Sequence, residues 1–304
     1  MLHTPTKEDL DRIYSILGAS GTKDTSYAKT TILGWFKDKN PLVEVGEDYA
    51  LFRGTVENNK VLNWSPLATS EQALIKAIGI AESYGAKSFA NVNEDQLEVY
   101  ESLGYSITPS RDYFEYLYLP ENLIELKGKK YHAKRNFING FSLPYEFRTY
   151  EPSDRENLNE LLFKWSYLHI DNGVDFSIKE GWHLHEIREK ILNDPEIKAL
   201  NAVLDDLDAY NCFADVLTIE DGKIIGFALG EILPSGIGAI YFEKGDIEYK
   251  GIYPLLDNAF CKKHFASGAR YINKQEDMGI EGLRKSKLSY NPITFAERYI
   301  AKKD

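Results

Sequence analysis

One succession of helices and strands runs through this chain twice, and that order constrains the fold more than any motif does. "TKEDLDRIYSIL" places Thr6 and Asp9 ahead of Leu10, Ile13, Tyr14 and Leu17 at helical spacing, which predicts a capped amphipathic helix. A second helix fits Tyr27 to Phe36, and "PLVEVGEDYALFRG" and "KVLNWSP" follow as antiparallel strands separated by "ENNK". A helix from Ser70 to Gly85 leads into strand "KSFANV", helix "EDQLEVYESLG" and strand "RDYFEYLYL". The second half restarts with strand "YEFRTYEP", then a helix capped by Ser153 with Glu156, then helix "EGWHLHEIREKIL". A hairpin turning at Asp221-Gly222, strand "GIGAIYFEKG", helix "GIYPLLDNAFCKKHFASG", strand "ARYIN", helix "GIEGLRKSKLS" and strand "ITFAERYI" complete it.

A chain of 304 residues, 43% of them hydrophobic, has enough material for two medium cores. The repeated order therefore predicts two α/β domains, 1–143 and 144–304, with the seam near "NGFSLPYEF", where Gly140 and Pro144 interrupt the periodic segments. Meandering strands with a helix inserted before the later ones resemble the N-acyltransferase layout called the GNAT fold. The fold class expected is α/β (α+β): two tandem GNAT-like domains with mixed, mostly antiparallel sheets.

Several function classes lack their sequence features. No apolar run approaches the roughly 20 residues of a spanning helix, and the start lacks a basic then apolar leader, so a cytoplasmic location is expected. Cys212 and Cys261 form no CxxC pair and are expected as small buried hydrophobes. His183 and His185 stand two apart and so fall on different sides of a helix, unlike a zinc protease pair; no metal site is expected. Phosphate-loop, dinucleotide and nucleophile-elbow motifs are absent from the sequence. The net charge of -11 opposes broad attraction to polyanions, so such a partner must be met locally.

The local candidate is "KGKKYHAKRN", with Lys127, Lys129, Lys130, Lys134 and Arg135. It is expected either to expose its charges while Tyr131, Phe137, Ile138 and Phe141 pack inward, or to clamp phosphate, with Lys134, Arg135 and Asn136 contacting the donor. Acyl-CoA enzymes of this layout cradle pyrophosphate in a glycine-rich turn at a helix start. The corresponding turns here, "NWSPLATSEQ" and "EKGDIEYKGIYP", are poor in glycine, which lowers the case for a CoA donor.

"YINKQEDMGIEGLRKSKLSYNP", residues 271–292, concentrates functional groups where a strand ends and a helix begins. Asn273, Glu276 and Asp277 fall at that corner, and Arg284 and Lys287 stand three apart on the helix. A capping and dipole role would explain single residues but not the whole group.

Two blocks, "RDYFEYLYLPENLIELKGKKYHAKRNFINGF" and "YFEKGDIEYKGIYPLLDNAFCKKHFASGARYINKQEDMGIEGLRKSKLSYNP", resemble the family named for the C-terminal domain of phosphatidylglycerol lysyltransferase. The resemblance implies kinship with lipid lysyltransferases and Fem-type aminoacyltransferases, bacterial-type enzymes that move an aminoacyl group from aminoacyl-tRNA to an amine or hydroxyl. It implies aminoacyl-tRNA and a small-molecule or peptide acceptor as partners, with no cofactor. An incoming amine must lose a proton while an ester oxygen gains charge. The catalytic candidates in the C-terminal domain are therefore Glu276, Asp277, Arg284 and Lys287; Asn273, Glu243 and Tyr290 would orient substrate. The alternatives are a CoA-dependent N-acetyltransferase and a non-catalytic ligand-binding module on the same fold.

Overall fold

The computed structural model describes residues 1–56, 58, 60–169 and 184–303. In chain order its elements are α1 (Lys7–Ser20), β1 (Leu42–Val45), β2 (Tyr49–Val56), β3 (Lys60–Asn63), β4 (Leu67–Ala68), α2 (Glu71–Ser83), β5 (Ser88–Asn93), α3 (Leu97–Ser102), β6 (Ser106–Pro109), β7 (Glu115–Tyr118), α4 (Pro120–Glu125), α5 (His132–Asn139) and β8 (Glu146–Thr149). They continue as α6 (Arg155–His169), α7 (Leu184–Asn193), α8 (Pro195–Leu204), β9 (Phe213–Thr218), β10 (Ile224–Ile232), β11 (Ile237–Gly245), α9 (Ile252–His264), β12 (Tyr271–Asn273), α10 (Glu281–Leu288), β13 (Thr294–Ala296) and β14 (Arg298–Lys302). The chain packs as two compact units, one of residues 1–117, 232–239 and 273–304, the other of 118–231 and 240–272. These units follow a different line from the division at 143/144, because the C-terminal strands pair with N-terminal ones.

In the first unit, α1 opens on the reciprocal Thr6/Asp9 cap, and α2 on Ser70, whose hydroxyl accepts the Ala73 N–H. The helix expected over Tyr27 to Phe36 is instead a π-helical turn over Thr30–Trp35. The Phe36 N–H reaches the Thr31 carbonyl, five residues back, in a stretch whose Thr30, Thr31 and Ile32 are β-branched and poor α-formers. Strands β1, β2 and β3 pair antiparallel, with β4 also on β2. Trp64 stacks on Phe52 at 3.6 Å and meets Phe36 edge-on, while Leu74, Ile78, Phe89 and Tyr100 fill the space under α2.

The last strand departs from expectation. The predicted single strand "ITFAERYI" breaks at Glu297 into β13, which pairs with β7, and β14, which lies between β5 and β6. Two different ladders claim the two halves, and the change of partner carries Arg298 inward to 7% exposure.

The second unit builds an antiparallel sheet in the order β8-β9-β10-β11. Asp221 (φ 67°) and Gly222 (φ 74°) both take the left-handed conformation that the β9–β10 hairpin turn needs. An ideal Cβ on Gly226 would meet Ile252 and Leu256 at 3.4 Å, so α9 lies tight against this sheet. The expected Ser153/Glu156 cap is replaced by Glu151/Asp154 around a short 3-10 turn, and Arg148 clamps Asp154 through two 2.7 Å bonds. Cys261 is buried and Cys212 half-buried. His183 lies outside the described residues, as does the side chain of His185. Among the described residues, no helix is long and apolar enough to cross a membrane.

Candidate functional site

The segment after β12 is held by backbone before any side chain acts. The Tyr116 N–H donates to the Gln275 carbonyl at 3.3 Å, and the Lys274 N–H donates to the Tyr116 carbonyl at 3.1 Å, so residues 274 and 275 extend the β7 ladder. Gln275, Met278 and Gly279 then take positive φ, which folds the chain back toward α10. At Gly279 (φ 75°) a Cβ would stand 3.0 Å from an Asp112 carboxylate oxygen, so glycine is required both conformationally and sterically. Lys287, in the last turn of α10, donates its ammonium to the Lys274 and Gln275 carbonyls and latches the helix onto this corner.

Asp277 has no exposed surface. Its oxygens accept from Arg284 Nε at 2.9 Å and Nη2 at 2.7 Å, Arg111 Nη1 at 3.2 Å, the Tyr116 hydroxyl at 2.5 Å and the Gly279 N–H at 2.9 Å. Burial alone would raise its pKa, but the Arg284 bonds, the Tyr116 hydroxyl and the Gly279 N–H outweigh it and hold the carboxyl well below its usual range. Arg284 also bonds Asp112 at 2.8 Å, and Arg111 lies 5.2 Å from the Phe295 ring centre. Asp277 does not cap α10, whose N-cap residue is Ile280.

A second buried carboxylate, Glu115 on β7, faces the other side of this corner. It accepts from the Thr25 N–H at 3.2 Å, the Thr25 hydroxyl at 2.5 Å, Asn273 Nδ2 at 2.7 Å and Arg298 Nη2. Arg298 also donates to Asp24 at 2.8 Å, and Glu276 stands 3.9 Å from its third nitrogen. Burial pushes Glu115 up to about 7; Arg298 opposes the rise, and the carboxylates of Asp24 and Glu276 add to it. Arg298 is itself held firmly protonated, because those three acids more than offset its desolvation.

Of the sequence-predicted residues, the structure thus brings Asn273, Glu276, Asp277, Arg284 and Lys287 to one corner of the first unit, with Tyr290 buried and its ring 4.8 Å from the Lys274 ammonium. Glu276 is the partly exposed acid of the group, its side chain 23% accessible. Glu243, Lys134, Arg135 and Asn136 belong to the second unit. Glu243 is half-buried on β11; Arg135 donates to the Leu126 and Gly128 carbonyls; exposed Asn136 bonds His132 at 3.1 Å. Tyr131 is buried as expected, but Phe137 is 41% exposed and not inward. The Phe137 carbonyl presses on Gly251, where a Cβ would approach it to 2.6 Å, so α5 covers the start of α9.

Sequence reasoning missed Glu115, Asp24, Arg111 and Arg298. Glu115 had a signal: it is a lone acid amid "YFEYLYL", which marks a buried charge in need of partners. Arg298 had none, since "AERY" looks like any exposed strand end. Among the described residues no group of three or more metal-ligating side chains forms.

A family described as "Phosphatidylglycerol lysyltransferase, C-terminal" matches residues 21–302. A relative from Mycoplasmoides gallisepticum, described as an uncharacterized protein, is 27% identical over 198 residues, 62% of this chain; the match spans about half (55%) of that relative's length. A conserved protein of unknown function from Bacteroides thetaiotaomicron, 25% identical, superposes with a TM-score of 0.84 over 100% of this chain and 99% of its own. A tandem GNAT protein from the clavulanic acid biosynthesis pathway, 10% identical, shares the fold at a TM-score of 0.51 over 99% of this chain and 98% of its own. The fold is a mixed α/β, GNAT-like one with antiparallel sheets.

Proposed function

The chain belongs to the family of the phosphatidylglycerol lysyltransferase C-terminal domain, and from that premise we propose that it transfers an aminoacyl group from aminoacyl-tRNA to an amine or hydroxyl acceptor. The cytoplasmic location and the tandem arrangement of domains 1–143 and 144–304 are parts of this proposal. The observation that carries the choice of donor is how the two helix starts are closed. A CoA-dependent enzyme needs open backbone N–H groups there. Here α2 is capped by the Ser70 hydroxyl, and α5 lies over Gly251 at the start of α9. The segment that does so also presents exposed Lys129 and Lys130, with Lys250 6.0 Å from the exposed Phe137 ring. Cations beside an exposed aromatic suit a phosphodiester chain end whose base can stack.

In the proposed reaction the acceptor nitrogen attacks the aminoacyl ester, a C–N bond forms, the ester C–O bond breaks, and the proton lost by nitrogen returns to the departing ribose oxygen. Glu276 takes that proton in transit, since of the three acids around Arg298 it is the one with exposed surface. Arg298 positions it, and the Asp277–Arg284 pair with Lys287 holds the segment in shape. Tyr290 orients substrate at this corner, and within the second unit Lys134, Arg135 and Asn136 fix the donor-binding helix.

The test is transfer from radiolabelled aminoacyl-tRNA to candidate amines. Glu276→Gln should lower turnover about 10²-fold or more without lowering the melting temperature, the usual scale for losing a general base. Unchanged turnover would reject the assignment. A melting shift with acetyl-CoA and transfer of acetyl would favour the CoA-dependent alternative, and ligand binding without turnover the non-catalytic one.

A further inference from the structure

A cavity of about 40 Å3 lies within the first unit, between the end of α1, residues 20–27, the β4 segment and β5. On the scale where roughly 10–15 Å3 holds one water, it admits about three water-sized atoms. Leu17, Pro66, Leu67 and Ala68 give part of its lining an apolar character, and Asp24, Asn91 and Asp95 stand among its polar lining. Asp24 is only 3% exposed, whereas Asp95 is exposed and forms the outer rim.

The hydrogen bonds of its lining give the cavity its chemistry. The walls spend most of their donors on themselves: the Ser20 hydroxyl on the Leu17 carbonyl, the Ser65 hydroxyl on Gln96 Oε1, and the Gln96 amide on the Pro66 carbonyl. The Asn91 amide donates to Ser26 Oγ at 2.9 Å, which leaves the Asn91 carbonyl oxygen as an acceptor. Asp24 takes one bond on each oxygen, from the Ser26 N–H and from Arg298, and an ionised carboxylate has about four acceptor positions. Acceptors therefore outnumber donors, two of the acceptors are carboxylates, and part of the lining is hydrocarbon. An anion would meet like charge, and a bare alkali ion would leave the apolar lining unused.

We propose that this cavity binds the head of a small protonated primary amine, its N–H groups donating to Asp24, Asn91 and Asp95 and its first carbons lying on Leu67 and Ala68. The inference does not depend on the transferase reading, because it concerns binding alone.

The intact chain is titrated with methylammonium or ethylammonium chloride, and separately with tetramethylammonium and potassium chloride at equal ionic strength, while thermal unfolding is followed. The primary amines should raise Tm saturably by about 2–4 °C at high occupancy, and the controls should not. Ala68→Leu, which fills the cavity without changing charge, should abolish the rise, and Asp95→Asn should weaken it. If Ala68→Leu does not fold, Asn91→Ala takes its place with the same expectation. No saturable rise, an equal rise with tetramethylammonium or potassium, or an undiminished rise in the filled variant overturns the proposal.

Discussion

Glu115 makes the stability of this protein depend on pH in a direction opposite to that of most paired acids. Its carboxyl is raised from an ordinary 4.5 to about 7. In the folded chain the proton is held more tightly than in the unfolded one, so this contribution to stability is full below about 4.5 and is lost as pH rises through about 7. At about 1.4 kcal/mol per pH unit, the difference between the two ends is about 3 kcal/mol. The cause is geometric: three acids, buried Asp24 and Glu115 and partly exposed Glu276, share the single guanidinium of Arg298. One cation does not compensate the desolvation of the buried acids.

Glu115→Gln isolates this effect, because glutamine keeps the size of a protonated glutamate and cannot ionise. The variant incurs a pH-independent cost, since its amide N–H meets one of the donors that now serve Glu115, among them the Thr25 N–H and Asn273 Nδ2. That offset leaves the slope untouched. In urea unfolding from pH 4.5 to 8.5, the stability of the variant minus that of the wild type should rise by about 3 kcal/mol in the variant's favour. Parallel profiles across this range would refute the reasoning, and so would a difference that falls with pH.

Three further outcomes follow from the same geometry. Asp277→Ala leaves Arg284 and Arg111 facing an empty buried site and should cost about 2–3 kcal/mol in urea unfolding, less than a fully dry pair because both arginines are partly exposed. Because the Asp277 pKa is lowered, its stabilisation is present above an ordinary 3.8 and fades only as pH falls below that, so the wild-type advantage should persist at pH 4. Gly251→Ala combines φ of 92° with a Cβ 2.6 Å from the Phe137 carbonyl, so it should destabilise by about 1–3 kcal/mol and increase hydrogen exchange in α5 before the rest of the second unit. Lys129→Ala with Lys130→Ala should weaken tRNA binding about equally for all tRNAs and flatten its salt dependence by roughly one to two counterions, checked by filter binding at several salt concentrations.

The elements were largely legible because hydrophobic periodicity and capping chemistry are local. The Thr6/Asp9 cap, the Ser70 cap and the Asp221-Gly222 turn each fix a backbone conformation within a few residues. Where partners come from afar the signal fails. Nothing around Glu297 announces that β13 and β14 join different strands, since the choice is made by β7 on one side and by β5 and β6 on the other. The same limit hid the buried acid cluster: Glu115 and Arg298 lie 183 positions apart. The corner at 273–287 was visible as a density of functional groups, but not which of them face solvent, because that is decided by the ladder of Tyr116 with residues 274 and 275.

That ladder also separates the two adjacent acids by role. Asp277 receives five bonds, from two nitrogens of Arg284, from Arg111, from Tyr116 and from a backbone N–H. To take up a proton it would have to surrender its ionic pairing with both arginines, and its lowered pKa expresses that cost. An acid so held cannot relay protons near neutral pH; it can set the position of the chain on either side of it. Glu276, one residue earlier, has an Arg298 nitrogen at 3.9 Å and partial access to solvent. In the proposed reaction the proton passes through Glu276 and the precision comes from Asp277. Replacement of the first should then change turnover without lowering stability, and replacement of the second should change both.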